Sequence, residues 1–183
     1  MTSALAVQPA QDLTPAQDLT IDGLALDIMI EAESWQRMPD AEAIIRHSLD
    51  AAASGLAQTG QEIAIVLTND AAIRALNSQW RGQDKPTNVL SFPAADGALA
   101  PFEGGAFHHL GDIVIAFETV AREAEEEQKP LAHHLAHLAI HGYLHLLGYD
   151  HMNDADAETM EQLEIKLLGQ LGISDPYADK TRA

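Results

Sequence analysis

The sequence predicts an α+β fold in which helices pack on a small mixed β-sheet. Short apolar segments with the two-residue period of half-buried strands are interleaved with segments that have the period of amphipathic helices. The two kinds of segment do not follow regular βαβ spacing, which argues against a doubly wound parallel sheet. The 183 residues suffice for one domain with its own core. The chain contains no Cys, so disulfides and a Cys-ligated zinc site are excluded.

The expected domain covers residues 21–175. Residues 1–20 contain the hexapeptide Pro-Ala-Gln-Asp-Leu-Thr twice in succession. This repeat is too short for a solenoid unit, so we predict a flexible N-terminal tail. A second tail is expected over residues 176–183. The chain shows no signal peptide and no apolar run that could cross a bilayer, so we expect a cytoplasmic protein without membrane contact.

Four segments are predicted to form the strands of the sheet. Each is a short apolar run, and the first alternates between apolar and more polar residues as a half-buried strand does. In chain order the strands are expected at residues 24–30, 63–67, 89–92 and 111–116. The Ala-, Gly- and Pro-rich stretch between the last two is predicted to be a long loop over residues 93–109.

Five segments are predicted to form helices. The first begins at Pro39-Asp40, and Thr68-Asn69-Asp70 supplies a cap for the second. The other three are expected at residues 117–127, 131–147 and 154–171. The last carries an apolar inner face formed by Met160, Leu163, Leu167 and Leu171.

The predicted helix over residues 131–147 is unusually rich in His. Four of the nine His in the chain recur every four residues at positions 133, 137, 141 and 145. Side chains with this spacing lie along one stripe of a helix, so any consecutive pair could chelate a metal ion. The spacing alone does not choose between the pairs. We expect His133, His134 and His137 to form a solvated helix face.

The segment after the stripe singles out one His trio, because it reads His141-Gly-Tyr-Leu-His145-Leu-Leu-Gly148-Tyr-Asp-His151. Gly148 is suited to end the helix and to let the chain turn back. His151 would then join His141 and His145, which predicts a three-imidazole zinc site with an open fourth position on the helix and its turn. Nickel and copper also accept three imidazoles.

The spacing of the trio is that of metzincin peptidases, with one change. Gly142 stands where those enzymes have their catalytic Glu. The absence of that base disfavours ordinary peptide hydrolysis. Asp150 is a candidate partner that would orient one of the imidazoles, and Asp112, at the start of a buried strand, is a second such candidate.

The net charge of the chain and the charge of one local segment have opposite implications for the binding of a phosphate-bearing ligand. The formal net charge of −18 argues against binding nucleic acid by bulk electrostatics. Residues 71–91, however, contain three cations and one carboxylate, for a net charge of +2. A guanidinium offers two parallel donors to a phosphate, but the residues alone favour a surface loop position for both Arg81 and Lys85.

At these motifs the chain resembles the YbeY-type endoribonuclease family of bacteria. Residues 141–151 match the family pattern H-G-x-L-H-L-x-G-Y-D-H at every fixed position. Two further blocks occur in the same order, at residues 76–93 and 110–115, and the resemblance covers about residues 24–172. One departure is Asn88, where many members have Asp.

The resemblance implies a single-strand-specific, metal-dependent endoribonuclease. It implies action in ribosomal RNA processing, including 3′-end maturation of 16S rRNA, and in ribosome quality control. By this analogy His141, His145 and His151 bind one Zn²⁺ per chain and Arg81 is catalytic. The expected partners are rRNA of the small ribosomal subunit and a ribosome-associated protein, with no role for DNA. Two alternatives stay open: a zinc metallopeptidase-like hydrolase with a displaced base, and a non-catalytic ribosome assembly factor.

Overall fold

The structure, a computed structural model, describes residues 23–94, 108–151 and 153–178. Its four strands are β1 (Leu24–Ile30), β2 (Gln61–Thr68), β3 (Val89–Pro93) and β4 (His108–Ala116). They form one sheet in the order β1-β2-β4-β3. Strands β1, β2 and β4 are parallel, and β3 runs antiparallel to β4 at one edge. The mixed sheet confirms the predicted α+β fold.

All five predicted helices are present: α1 (Ala41–Gly55), α2 (Asp70–Arg81), α3 (Phe117–Glu126), α4 (Leu131–Leu146) and α5 (Asp154–Gln170). The last three begin and end within one residue of the predicted positions. A short 3-10 helix (Glu33–Arg37) was not predicted from the sequence. Asn69 caps α2, because its side chain accepts a hydrogen bond from the N–H of Ala72 at 2.9 Å. Asn153 caps α5 in the same way.

The prediction of a loop over residues 93–109 is wrong at its C-terminal end. Strand β4 already begins at His108, whose N–H donates to the carbonyl of Gly60 at 2.7 Å. His108 and His109 carry no apolar pattern, so their pairing with β2 was invisible in the sequence. Most of the predicted loop lies outside the described residues, as does the N-terminal hexapeptide repeat.

The sheet separates a small apolar layer from a large one. Helix α2 covers one face, where Ile73 packs with Leu90 and Val114. Helices α1, α4 and α5 contribute to the main core on the other face. Helix α4 is apolar around most of its circumference, which is typical of a buried helix. Consequently, the His stripe lies on the helix at the centre of the molecule.

Gly142 brings α4 close to the sheet beside the stripe. A Cβ atom at this position would lie 3.0 Å from Ile113 Cγ2 and 3.1 Å from Ser91 Oγ. The Ser91 hydroxyl donates to the Gly142 carbonyl at 3.2 Å, joining β3 to the helix. A side chain at this position would require both neighbours to shift by a few tenths of an ångström, which disfavours a Glu. The packing thus agrees with the lack of the metzincin base, and β3 lies next to His141.

The described fold extends beyond the predicted domain boundary at residue 175. Lys129 Nζ donates to the carbonyl of Pro176 at 2.9 Å. The Tyr177 ring packs against the His137 ring with centroids 5.6 Å apart, and its hydroxyl donates to Glu164. Residues 176 and 177 thus contact the centre of the molecule, although the sequence predicted a tail there.

Gly111 occupies a bulge in β4 that admits only glycine. Its φ is +137°, and the register with β2 shifts at this point. A Cβ atom here would lie 2.2 Å from the carbonyl oxygen of Phe92. Because Gly111 has no side chain, the β3 backbone at Phe92 and Pro93 can lie against it.

We predict that Gly111→Ala lowers the free energy of unfolding by about 2–4 kcal/mol, because it adds both backbone strain and a steric clash. Gly169→Ala is the matched control, since a Cβ atom there meets nothing within 4 Å. That helical position gains up to about 1 kcal/mol from the same exchange. Urea denaturation of both variants measures the difference, and equal stabilities would contradict the assignment.

Candidate metal centre

The end of α4 and the turn after it bring three imidazoles together. Gly148, with φ of +90°, reverses the chain so that His151 returns to the helix. The ring centroids of His141 and His145 lie 4.6 Å apart, and those of His145 and His151 lie 4.8 Å apart. One nitrogen from each of the three rings lies within 4.8 Å of the other two. The structure thus assembles the predicted trio.

Hydrogen bonds fix the tautomers of two of these rings. His145 Nδ1 lies 3.0 Å from the carbonyl oxygen of Tyr149, which can only accept a hydrogen bond. His141 Nδ1 lies 2.7 Å from Glu164 Oε1. Both rings therefore carry a proton on Nδ1 and direct Nε2 toward the site.

The two Nε2 atoms, in His141 and His145, face each other at 3.1 Å. At this distance both nitrogens can bind one cation. The arrangement fits a metal ion, because neutral imidazoles whose Nδ1–H is held by an oxygen are the usual ligands in such sites. Three nitrogen ligands leave a position open for substrate, as in catalytic rather than structural zinc sites.

The surroundings keep His145 in the form that binds metal. Burial lowers its pKa to about 4, and the neighbouring His141 and His151 contribute in the same direction. The ring is therefore neutral at physiological pH, and no proton competes with a cation for its Nε2.

Glu164 of α5 is the residue that sequence reasoning missed. Its carboxylate is fully buried and accepts hydrogen bonds from His137 Nε2 at 2.9 Å and from His141 Nδ1 at 2.7 Å. Burial raises the pKa of this carboxyl, but the bonds from the two His side chains outweigh burial and hold the pKa at about 2. The sequence did contain a sign of this role, because Glu164 is an acidic residue between Met160 and Leu167 on the apolar inner face of the last helix.

The predicted solvated face at His133, His134 and His137 is wrong for the second and third of these residues. His137 is bound by Glu164, as described above. His134 is 5% exposed, and its Nε2 lies 2.9 Å from Glu123 Oε2. Their carboxylate partners belong to other helices, which the spacing within α4 could not reveal.

A cavity of about 510 Å³ opens beside the trio. The three imidazoles and Asp150 line one side of it, and residues of β3 and the preceding loop line the other. Arg81 also lines it, and its Nη2 donates to the carbonyl of Ser91 at 3.3 Å. The structure therefore brings Arg81 and the trio to one cavity.

The wall of this cavity is braced by Asn88. Its Nδ2 donates to Glu123 Oε2 at 2.9 Å, and its Oδ1 accepts from the N–H of Val89 at 2.6 Å. The amide thus links the start of β3 to the same carboxylate that binds His134. Asn88 supplies a donor to Glu123, which an ionised Asp at this position would not.

The two candidate orienting carboxylates lie in different places. Asp150 Oδ1 accepts from the backbone N–H of His151 at 2.8 Å, so it braces the turn and contacts no ring nitrogen. Asp112 is exposed and lies 3.5 Å from His109 Nε2. Among the described residues, it contacts no member of the trio.

Of the three cations in residues 71–91, Arg81 lines the cavity. Arg74 forms an ion pair with Asp84 at 2.7 Å, which leaves Arg81 and Lys85 to supply the net +2. In the described part of the chain neither of these two cations pairs with a carboxylate.

Comparison with known proteins identifies the family of this chain. The family model described as Endoribonuclease YbeY matches residues 29–172. The chain belongs to the YbeY endoribonuclease family. Endoribonuclease YbeY of Bradyrhizobium diazoefficiens is 56% identical over 84% of this chain and 85% of its own length. Endoribonuclease YbeY of Rhodopseudomonas palustris strain BisA53 is 52% identical, covering 87% and 93%.

One solved structure is similar to this YbeY-family chain. It is the solution structure of TM1509 from Thermotoga maritima, with 25% sequence identity and a TM-score of 0.43. The match covers 82% of this chain and 97% of that protein. Within the described residues, no helix is long and apolar enough to cross a membrane.

We predict that Glu164→Gln weakens metal binding by roughly 10- to 100-fold, because the amide cannot hold both His partners as the carboxylate does. Competition for Zn²⁺ against a chromogenic chelator measures this change. Glu158→Gln, on the exposed side of the same helix, is the control. Equal affinities of the two folded variants would show that Glu164 does not set the ligand geometry.

Proposed function

We propose that this chain is a single-strand-specific, metal-dependent endoribonuclease that acts in ribosomal RNA processing. The observation that carries the proposal is one cavity lined both by three imidazoles and by an unpaired guanidinium. The family membership supports the reaction class. We further propose 3′-end maturation of 16S rRNA and ribosome quality control as the cellular roles.

One Zn²⁺ per chain is the proposed cofactor, held by His141, His145 and His151. The fit rests on the donor set, which presents neutral nitrogen ligands and an open position. When bound, zinc supplies a Lewis acid that can polarise a phosphoryl oxygen or lower the pKa of a water molecule.

Arg81 is the proposed phosphate-binding residue. Its hydrogen bond to the Ser91 carbonyl holds the guanidinium at the cavity wall while further N–H donors are left for substrate. Negative charge builds up on the phosphoryl oxygens during cleavage, and a fixed cation stabilises it most at that stage. Two parallel donors also orient the scissile phosphate.

The packing at Gly142 weighs against the peptidase alternative. A general base is disfavoured at this position, because Ile113 and Ser91 would have to shift to accommodate its side chain. In RNA the 2′-hydroxyl can act as the nucleophile. Phosphodiester cleavage can therefore proceed with fewer catalytic groups from the protein than peptide hydrolysis requires. RNA cleavage is therefore the reaction that this set of residues favours.

The proposed partners are rRNA of the small ribosomal subunit and a ribosome-associated protein, which places the activity in the cytoplasm. The net charge of −18 repels RNA at long range. The Arg81 guanidinium at the cavity attracts it only locally. Docking on the ribosome through a partner would raise the effective concentration of the substrate at this cavity.

We predict that Arg81→Ala lowers RNA cleavage by about 10²- to 10³-fold without loss of metal, because only the stabilisation of developing charge is removed. His145→Ala should lose both stoichiometric zinc and cleavage. Metal analysis paired with a gel assay on single-stranded RNA measures both effects. The control is Lys166→Ala, which removes an exposed cation from α5. Full activity of Arg81→Ala at wild-type metal content would contradict the assigned role.

We predict weak binding of free RNA by the metal-free protein, with a dissociation constant above about 1 μM at physiological salt, because the body of the protein is acidic. Fluorescence anisotropy with labelled single-stranded RNA over a range of salt concentrations tests this. Sub-micromolar affinity for arbitrary RNA without metal or partner would contradict it.

A further inference from the structure

Trp80 is exposed to an extent unusual for its residue type. Its relative accessibility is 63%, whereas Trp35 is 2% exposed. Among the residues that the structure describes, no Tyr or Phe is as exposed. A large aromatic surface left in water costs free energy, so such side chains frequently mark binding contacts.

The position of Trp80 relates it directly to the candidate metal centre. It is the penultimate residue of α2 and directly precedes Arg81. Its ring makes a T-shaped contact with Phe92 of β3, with centroids 6.1 Å apart and planes at 67°. This contact holds the indole against the sheet and still leaves most of it accessible.

The charges around Trp80 favour a nucleic acid over a protein as its ligand. Arg81 and Lys85, on the same short segment, have no carboxylate partner within the described residues. Single-stranded RNA offers a phosphate for such cations and an unstacked base for the aromatic ring. Base–aromatic stacking next to a backbone-tracking cation is the common mode of single-strand recognition.

We propose that Trp80 is a stacking platform for an unpaired base next to the phosphate that Arg81 binds. The proposal rests on the proposed endoribonuclease function. It adds a base subsite outside the cavity, for a nucleotide that is not cleaved itself. Stacking tolerates any base, so the subsite selects unpaired RNA rather than a sequence.

The topology of β3 explains why the subsite would require single strands. Leu90 and Phe92 face α2, whereas Ser91 faces α4 and the metal centre. RNA that occupies both Trp80 and the cavity must cross β3 at the open edge of the sheet, where Arg81 reaches the Ser91 carbonyl. A base on Trp80 must therefore leave its own helical stack, which a duplex resists.

Cleavage kinetics on single-stranded RNA with zinc-loaded protein test the platform. We expect Trp80→Leu to raise KM by about 5- to 100-fold with kcat nearly unchanged, the range given by losing one stacked base. Trp80→Phe should retain most of the wild-type KM, because it keeps an aromatic ring. Ile30→Ala is the control, since Ile30 is 55% exposed on β1 at the opposite edge of the sheet.

Intrinsic fluorescence provides a readout that does not depend on cleavage. A short 2′-O-methyl oligouridylate should quench the exposed Trp80, and the quenching should disappear in Trp80→Phe, which retains only the buried Trp35. A wild-type KM in Trp80→Leu, or absence of quenching, overturns the platform and leaves the endoribonuclease in place. Quenching by the oligonucleotide without any cleavage by the wild type overturns the proposed reaction and supports the platform.

Discussion

A buried, ionised carboxylate is the interaction on which the metal centre depends. Glu164 lies in the interior, where an unpaired charge is costly, and it is stabilised there by His137, His141 and Tyr177. The same hydrogen bonds fix the His141 tautomer and connect α4, α5 and the residues after α5. Removing any one partner affects the others, because a buried charge left without donors is strongly destabilising.

The close packing of α4 on the sheet at Gly142 positions the side of the cavity that β3 and Arg81 form. Without a side chain there, α4 lies against β3 and β4, and the Ser91 hydroxyl bonds to the helix. The edge strand can then present its Ser91 carbonyl to Arg81 beside the imidazoles. Gly142, which disfavours a peptidase base, thus also lets β3 and the Arg81 guanidinium lie next to the candidate metal centre.

The distribution of charge agrees with a ligand that is recognised locally. Among the described residues, Arg81 at the cavity and Lys85 on the same segment have no carboxylate partner, whereas Arg46, Arg74, Arg122 and Lys129 do. A protein that is acidic overall and has a small cationic site disfavours non-specific binding of RNA. Specificity then depends on the site itself and on docking to a partner. The exposed ring of Trp80 next to this site adds an uncharged means of holding an unpaired strand.

Much of the fold and the trio could be predicted because their signals are local. Apolar periodicity, capping residues and the Gly148 turn determine the helices, the strands and the convergence of His141, His145 and His151. The sequence by itself could not pair His137 with Glu164 or His134 with Glu123, because these partners lie 27 and 11 residues apart on different helices. Nor could it show that Gly142 is required by packing, or that Arg81 faces the trio across β3. Only the tertiary structure decided these contacts, since they depend on how helices lie against the sheet rather than on the period within any one of them.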